Sequence, residues 1–150
     1  MTGRALIDSN VFVYAFDAAA RDKQARAARL LEQIEPIGRG MLSTQVLGEF
    51  FRVVTEKITR PLTPSEARLE LERLVVSWPV LPITTPIVIE AARGVRDHRM
   101  SYWDAQLWAT ARLNQVDVVL SEDFQDGRVL DGVRFVNPFT PSFDLAALVS

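Results

Sequence analysis

Ala5-Leu6-Ile7-Asp8-Ser9-Asn10 is an apolar tripeptide that gives way to an acid and two small polar residues. A short apolar run bounded in this way reads as a buried strand. Open α/β sheets bind ligands just outside the carboxyl ends of their strands, so Asp8 stands where chemistry is commonly placed. Asp8 or Ser9 is equally suited to cap a following helix, because a short side-chain oxygen there accepts a first-turn N–H. Both readings stay open from this stretch alone.

Working outward, Val11-Phe12-Val13-Tyr14-Ala15-Phe16 continues the apolar run, and its Ala-rich tail at 17–20 favours helix over strand. Residues 23–34 are good helix formers ended by Pro36 and Gly38. Ala27, Leu30, Leu31 and Ile34 give that helix an apolar face, and Arg26 and Arg29 give it a basic one. Met41-Leu42-Ser43 predicts a second strand, followed by a helix over 44–58 whose stripe of Leu47, Phe50, Phe51, Val54 and Ile58 leaves Glu49 on the far side. Gly48 costs that helix about 1 kcal/mol relative to Ala, which predicts a close approach to its backbone. Thr63-Pro64-Ser65-Glu66 opens a helix reaching Trp78. Residues 80–83 form a brief strand or link, 85–95 and 101–114 are helical, and 116–120 and 133–136 are strands around a loop at 121–127. The alternation predicts one domain over 1–150 of the α/β class. Its mainly parallel central sheet is covered by helices on both faces, a three-layer α/β/α arrangement.

A chain of 150 residues with 48% hydrophobic and 24% charged residues suits a single globular core. With no cysteine it can form neither a disulfide nor a thiolate metal site. The first residues lack the features of a signal peptide, and no apolar run nears the roughly 20 residues of a membrane helix, so a cytoplasmic protein without a membrane partner is expected. The net charge of −2 excludes holding nucleic acid by a bulk basic excess. Of 17 basic residues only Lys23 and Lys57 are lysine, and the remaining 15 are Arg, whose planar fork suits phosphate.

A lone histidine, His98, rules out a histidine pair or a Cys/His zinc site, and no glycine-rich phosphate loop or GxSxG is present. His98 lies at a charged helix end, where it is expected to meet the last carbonyls and to take no catalytic part. Oxygen chemistry remains. Asp104 falls beside Leu107, Trp108 and Ala111 on an apolar stripe, and Ser101-x-x-Asp104 also matches a capping box. Asp123 follows the 116–120 strand as Asp8 follows its own, although it also suits a polar turn near Asp126-Gly127. Carboxylates converging at one sheet edge repel unless a cation neutralises them, and all-oxygen ligands favour Mg²⁺ or Mn²⁺.

The order Leu6-Ile7-Asp8-Ser9-Asn10, Glu49 in a helix, Tyr102-Trp103-Asp104-Ala105, then Leu120-Ser121-Glu122-Asp123-Phe124 resembles the PIN domain over almost the whole chain. The size and the closing Phe124 to Arg128 and Val136-Asn137-Pro138-Phe139 segments resemble the VapC-type toxins of toxin-antitoxin pairs. That resemblance implies a metal-dependent endoribonuclease acting on RNA, restrained by a small antitoxin, and expected as a homodimer. It also implies that Asp8 and Asp104 are the principal Mg²⁺ ligands. By the same resemblance Glu49 and Asp123 are expected to complete the acidic pocket, with Asn10 and Ser121 supporting it by hydrogen bonding. Ser9 stands where Thr is usual, and Glu122, Asp123 and Asp126 compete for the fourth acid, with Asp123 favoured. The alternatives are a PIN-like module that binds RNA or a protein without turnover, and a Mg²⁺-dependent phosphatase with Asp8 as nucleophile. The phosphatase is disfavoured by Asn10, where a second Asp is needed. Val13 and Phe16 are expected in the core, although exposed they would offer a groove to a partner helix.

Overall fold

The computed structural model describes residues 3–149. Its strands are β1 (Ala5–Ile7), β2 (Gly40–Ser43), β3 (Val80–Leu81), β4 (Val118–Leu120), β5 (Val129–Leu130) and β6 (Val133–Val136). Its helices are α1 (Ser9–Tyr14), α2 (Arg21–Ile34), α3 (Thr44–Glu56), α4 (Pro64–Ser77), α5 (Thr85–His98), α6 (Tyr102–Leu113) and α7 (Leu145–Val149). They form a six-stranded sheet in the order β3-β2-β1-β4-β6-β5, parallel throughout except for the β5–β6 hairpin.

The chain first builds the sheet from β1 through β2 to β3, then returns to the other side of β1 with β4 and β6. Because parallel crossovers are right-handed, this reversal sends the two sets of connecting helices to opposite faces. One set is α1 to α4, in which α1 packs on both α2 and α3, and α3 on α4; the other is α5 on α6, with α6 against β4 and β6. The expected three-layer α/β/α architecture is therefore observed. β1 and β4 are buried on both faces, which explains their unbroken apolar sequences.

The helix starts follow their sequence signals. Thr63 and Glu66 close a reciprocal capping box at α4, and Ser43 caps α3 by accepting the Val46 N–H at 3.3 Å. Val13 and Phe16 pack into the core, as expected of them.

Three local expectations are corrected. Gly48 faces open space, and a Cβ there would meet nothing within 4 Å. The close approaches occur at Gly40, where a Cβ would lie 2.7 Å from Trp78, and at Gly94, where it would lie 2.9 Å from Trp108. His98 meets the Asp131 carboxylate at 3.0 Å and the Trp108 ring edge-to-face rather than the last carbonyls of its helix. The third correction adds β5 and α7, which the sequence reading leaves as loop and unassigned chain.

Trp108 is fully buried and its indole N–H donates to the Leu130 carbonyl at 3.1 Å, so it cannot retreat from α5. Gly94→Ala is accordingly expected to lower stability by about 1–2 kcal/mol, the overpacking outweighing a gain of about 1 kcal/mol in helix propensity. Urea unfolding checks this, and an unchanged midpoint would show that the α5–α6 contact has slack.

Candidate active site

The sheet reverses its strand order between β1 and β4, and their carboxyl ends lie level, with Ile7 opposite Leu120. This switch point is where an α/β sheet opens a crevice. Asp8 leaves β1 there, donating its N–H to the Leu120 carbonyl at 2.9 Å, and Ser121 leaves β4 beside it. Asp8 is also the N-cap of α1, its Oδ1 accepting the Ser9 N–H at 2.7 Å. The cap and the strand-end acid are one and the same residue, so the two readings do not compete.

Around Asp8 the polar groups form one network. Ser121 Oγ donates to Asp8 Oδ2 at 2.7 Å, while accepting from Asn10 Nδ2 and from the Asp123 N–H, each at 3.1 Å. Asn10 Nδ2 also lies 3.3 Å from Asp8 Oδ2 and 3.2 Å from Asp123 Oδ2. On the other side Ser9 Oγ donates to Glu49 Oε2 at 3.0 Å. Glu49, on α3, is half-buried at this edge, and Gln45 Nε2 holds its Oε1 at 2.7 Å and the Trp103 carbonyl at 3.0 Å. Gln106 in turn donates to Gln45 Oε1 at 3.0 Å and accepts from Tyr102 at 2.9 Å. Asp104 sits in the first turn of α6, half-buried, with its backbone N–H on Ser101 Oγ at 3.3 Å. Only this half of the expected capping box is formed, so the Asp104 carboxylate is not committed to the cap.

The three acids of the 121–127 loop have different surroundings. Glu122 is ion-paired with Lys23 at 2.6 Å and accepts from the Tyr14 hydroxyl, and Asp126 accepts the Asn137 N–H at 2.8 Å. Asp123 alone of the three is joined to Asn10 and, through its N–H, to Ser121. Tyr14, Lys23, Gln45 and Gln106 are the supporting residues that sequence reasoning missed. Gln106 carried a usable signal, a polar side chain in a helix otherwise buried from Ala105 to Ala111.

Asp8 is 6% exposed. Burial pushes its carboxyl up to about 7 against the lowering effect of the Ser121 and Ser9 hydrogen bonds, and repulsion from Glu49 and Asp123 adds to the rise. Asp123 is also raised, first by partial burial and then by Glu122 and Asp104, while the Asn10 hydrogen bond opposes this. Among the described residues no cation is found among the groups acting on Asp8. Asn10 Oδ1 is a buried acceptor with no hydrogen-bond partner among the described residues. A buried unpaired acceptor costs free energy unless something else satisfies it.

The donor set is therefore all oxygen, electrostatically frustrated and one partner short. Among the described residues no three His, Cys, Asp or Glu side chains close into a ligand cage. That combination fits Mg²⁺ or Mn²⁺, since Mg²⁺ keeps several waters and uses one or two carboxylates rather than a complete protein cage. Both oxygens of Asp8 are already engaged by donors, which suits a ligand better than an attacking nucleophile.

A PIN domain family model matches residues 5–129. No curated protein matches the chain. Among solved structures, a toxin-antitoxin complex from Klebsiella pneumoniae superposes with a TM-score of 0.64 at 20% identity, covering 89% of this chain and 97% of that one. Mycobacterium tuberculosis VapC20, a sarcin-ricin loop cleaving toxin, gives 0.60 at 21% identity, covering 77% and 86%. DNA-bound VapBC from Salmonella typhimurium gives 0.62 at 17% identity, covering 88% and 96%. At these identities the superpositions speak for the fold, and the family match spans most of the sequence from β1 to β5. The chain belongs to the PIN domain family.

Proposed function

We propose that this protein is a metal-dependent endoribonuclease, the toxin of a VapBC-type pair. The observation that carries the reading is the buried, uncompensated Asp8 carboxylate at the sheet's switch point, with Asn10, Ser121 and Asp123 bonded around it. Mg²⁺ or Mn²⁺, when bound, supplies a water of lowered pKa and neutralises charge on a phosphoryl group. Asp8 and Asp104 would hold the ion, with Glu49 and Asp123 completing the acidic pocket.

The chain's own residues have distinct tasks. Ser121 and Asn10 fix the rotamer of Asp8 and keep Asp123 turned toward it. Ser9 and Gln45 aim Glu49 at the same edge. The Lys23–Tyr14 clamp removes Glu122 from the pocket, so two adjacent acids do not compete for one place. A small antitoxin, a second copy of the chain and a cytoplasmic setting belong to this reading, and the toxin-antitoxin complexes among its structural neighbours support the first of these. No helix among the described residues is long and apolar enough to cross a membrane.

Incubation with structured RNAs tests the proposal. Cleavage is expected with Mg²⁺ or Mn²⁺, none with EDTA, and none from a folded Asp104→Asn variant. Stoichiometric RNA binding without cleavage under every metal condition would favour a binding module instead.

A further inference from the structure

The basic face of α2 has no part in the site described above. A phosphodiester approaching Asp8, Glu49, Asp104 and Asp123 meets four carboxylates on a chain whose net charge is already −2. A polyanion needs local cations to reach such a place. All five arginines of α4, α5 and α6 are committed to carboxylates: Arg68 to Glu72, Arg73 to Glu70, Arg93 and Arg112 to Glu90, and Arg96 to Asp97. Arg26 and Arg29 have no ion pair among the described residues. Both are exposed, and Arg26 is held in place by donating one N–H to the Phe139 carbonyl at 2.7 Å, which leaves the rest of its fork available.

These arginines line a cleft of about 590 Å³ with Asp22, Lys23, Ala25 and Phe139. They also line a second depression of about 930 Å³ between α2 and the segment before α7. Lys23 is the link to the acids. It pairs with Glu122, the neighbour of Asp123, and lies 5.6 Å from the centre of the Phe139 ring. Lys23, Arg26 and Arg29 fall at i, i+3 and i+6, roughly 9 Å of helix leading away from the acid cluster. A basic groove with an aromatic wall is the pattern that tracks an unpaired nucleic-acid strand.

We propose that Arg26 and Arg29 form a phosphate track that carries single-stranded RNA from the acid cluster, past Lys23, along α2. This rests on the ribonuclease reading. It assigns the two arginines to binding and not to the reacting phosphate.

The test uses an unstructured RNA of about 12 nucleotides, titrated against the full chain carrying Asp8→Asn, with and without Arg26→Gln and Arg29→Gln. Each arginine change is expected to reduce the slope of log K against log salt by about 0.7, and the pair to weaken binding about tenfold at low salt. On the cleaving background the double change is expected to raise KM with kcat retained. Arg68→Gln, on the far helix α4, serves as the control and leaves both unchanged. Unaltered affinity and salt slope in the double variant, beside a wild type that cleaves RNA, would overturn the track alone. Loss of binding to an acidic protein partner with RNA affinity intact would also overturn it. A wild type that neither binds nor cleaves RNA removes the ribonuclease reading, and the track with it.

Discussion

Asp8→Asn is expected to reduce RNA cleavage by at least about 10³-fold while making the metal-free protein more stable at alkaline pH. The first effect follows from its proposed place as a metal ligand. The second follows from burial. The Asp8 carboxyl lies at 3.8 in an ordinary setting and is pushed up to about 7 in the folded protein. The native state therefore prefers the protonated acid. Its contribution to stability is fully present below about pH 4 and is lost as pH rises through about 7, with a limit on the order of 4 kcal/mol. The amide substitution abolishes that loss. It recovers only part of the limit, because its Nδ2 faces the donors Asn10 Nδ2 and Ser121 Oγ that now serve Asp8 Oδ2. Urea unfolding in EDTA at about pH 4, 6 and 8 measures the difference between the two proteins. A gap that does not widen with pH would mean that Asp8 is ionised in the folded state at little cost.

Adding Mg²⁺ is expected to reverse the alkaline weakness of the wild type. At a concentration about 100 times its dissociation constant an ion that binds only the native state contributes roughly 2.7 kcal/mol, a rise in Tm of about 5–10 °C for a chain of this size. If Asp8 holds the ion as proposed, the proton and the metal would compete for the same carboxylate. Below about pH 7 the apparent affinity should therefore fall close to tenfold per pH unit, and the Tm gain at about pH 5.5 should be small. Cleavage should decline over the same range. Asp8→Asn should show neither the gain nor its pH dependence. An equal Tm gain at both pH values would remove Asp8 from the ligand set and leave the ion on Asp104 and the more exposed acids.

The sheet was legible because β1 and β4 are buried on both faces and so carry unbroken apolar runs, and because Thr63 and Glu66 announce the helix that follows. β5 could not be read in that way. Two residues have no periodicity, and the strand exists because Asp131 and Gly132 take positive φ values of 47° and 83° to turn it back onto β6. At the candidate site the sequence supplied the acids but not their directions. Asp123 was already favoured from the sequence, but the engagement of Glu122 by Lys23 and Tyr14, about a hundred residues earlier, and of Asp126 by Asn137 could not be read there. Gly48 shows the converse error. A glycine in a helix invites a packing explanation, but the packing that excludes a side chain is at Gly40 and Gly94, where indole rings press on the backbone.

The bond between Ser121 and Asp8 spans 113 residues of chain. During synthesis β1 emerges from the ribosome early, yet its partner β4 and the hydroxyl that orients Asp8 come out only after four-fifths of the 150 residues have been made. Until then Asp8 has no Ser121 and no Asp123, and β1 has only β2 beside it. On the ribonuclease reading, the proposed site would stay unassembled until β4 and the 121–127 loop have been made. On that reading, control over the activity would begin with the order in which the parts of its site are translated.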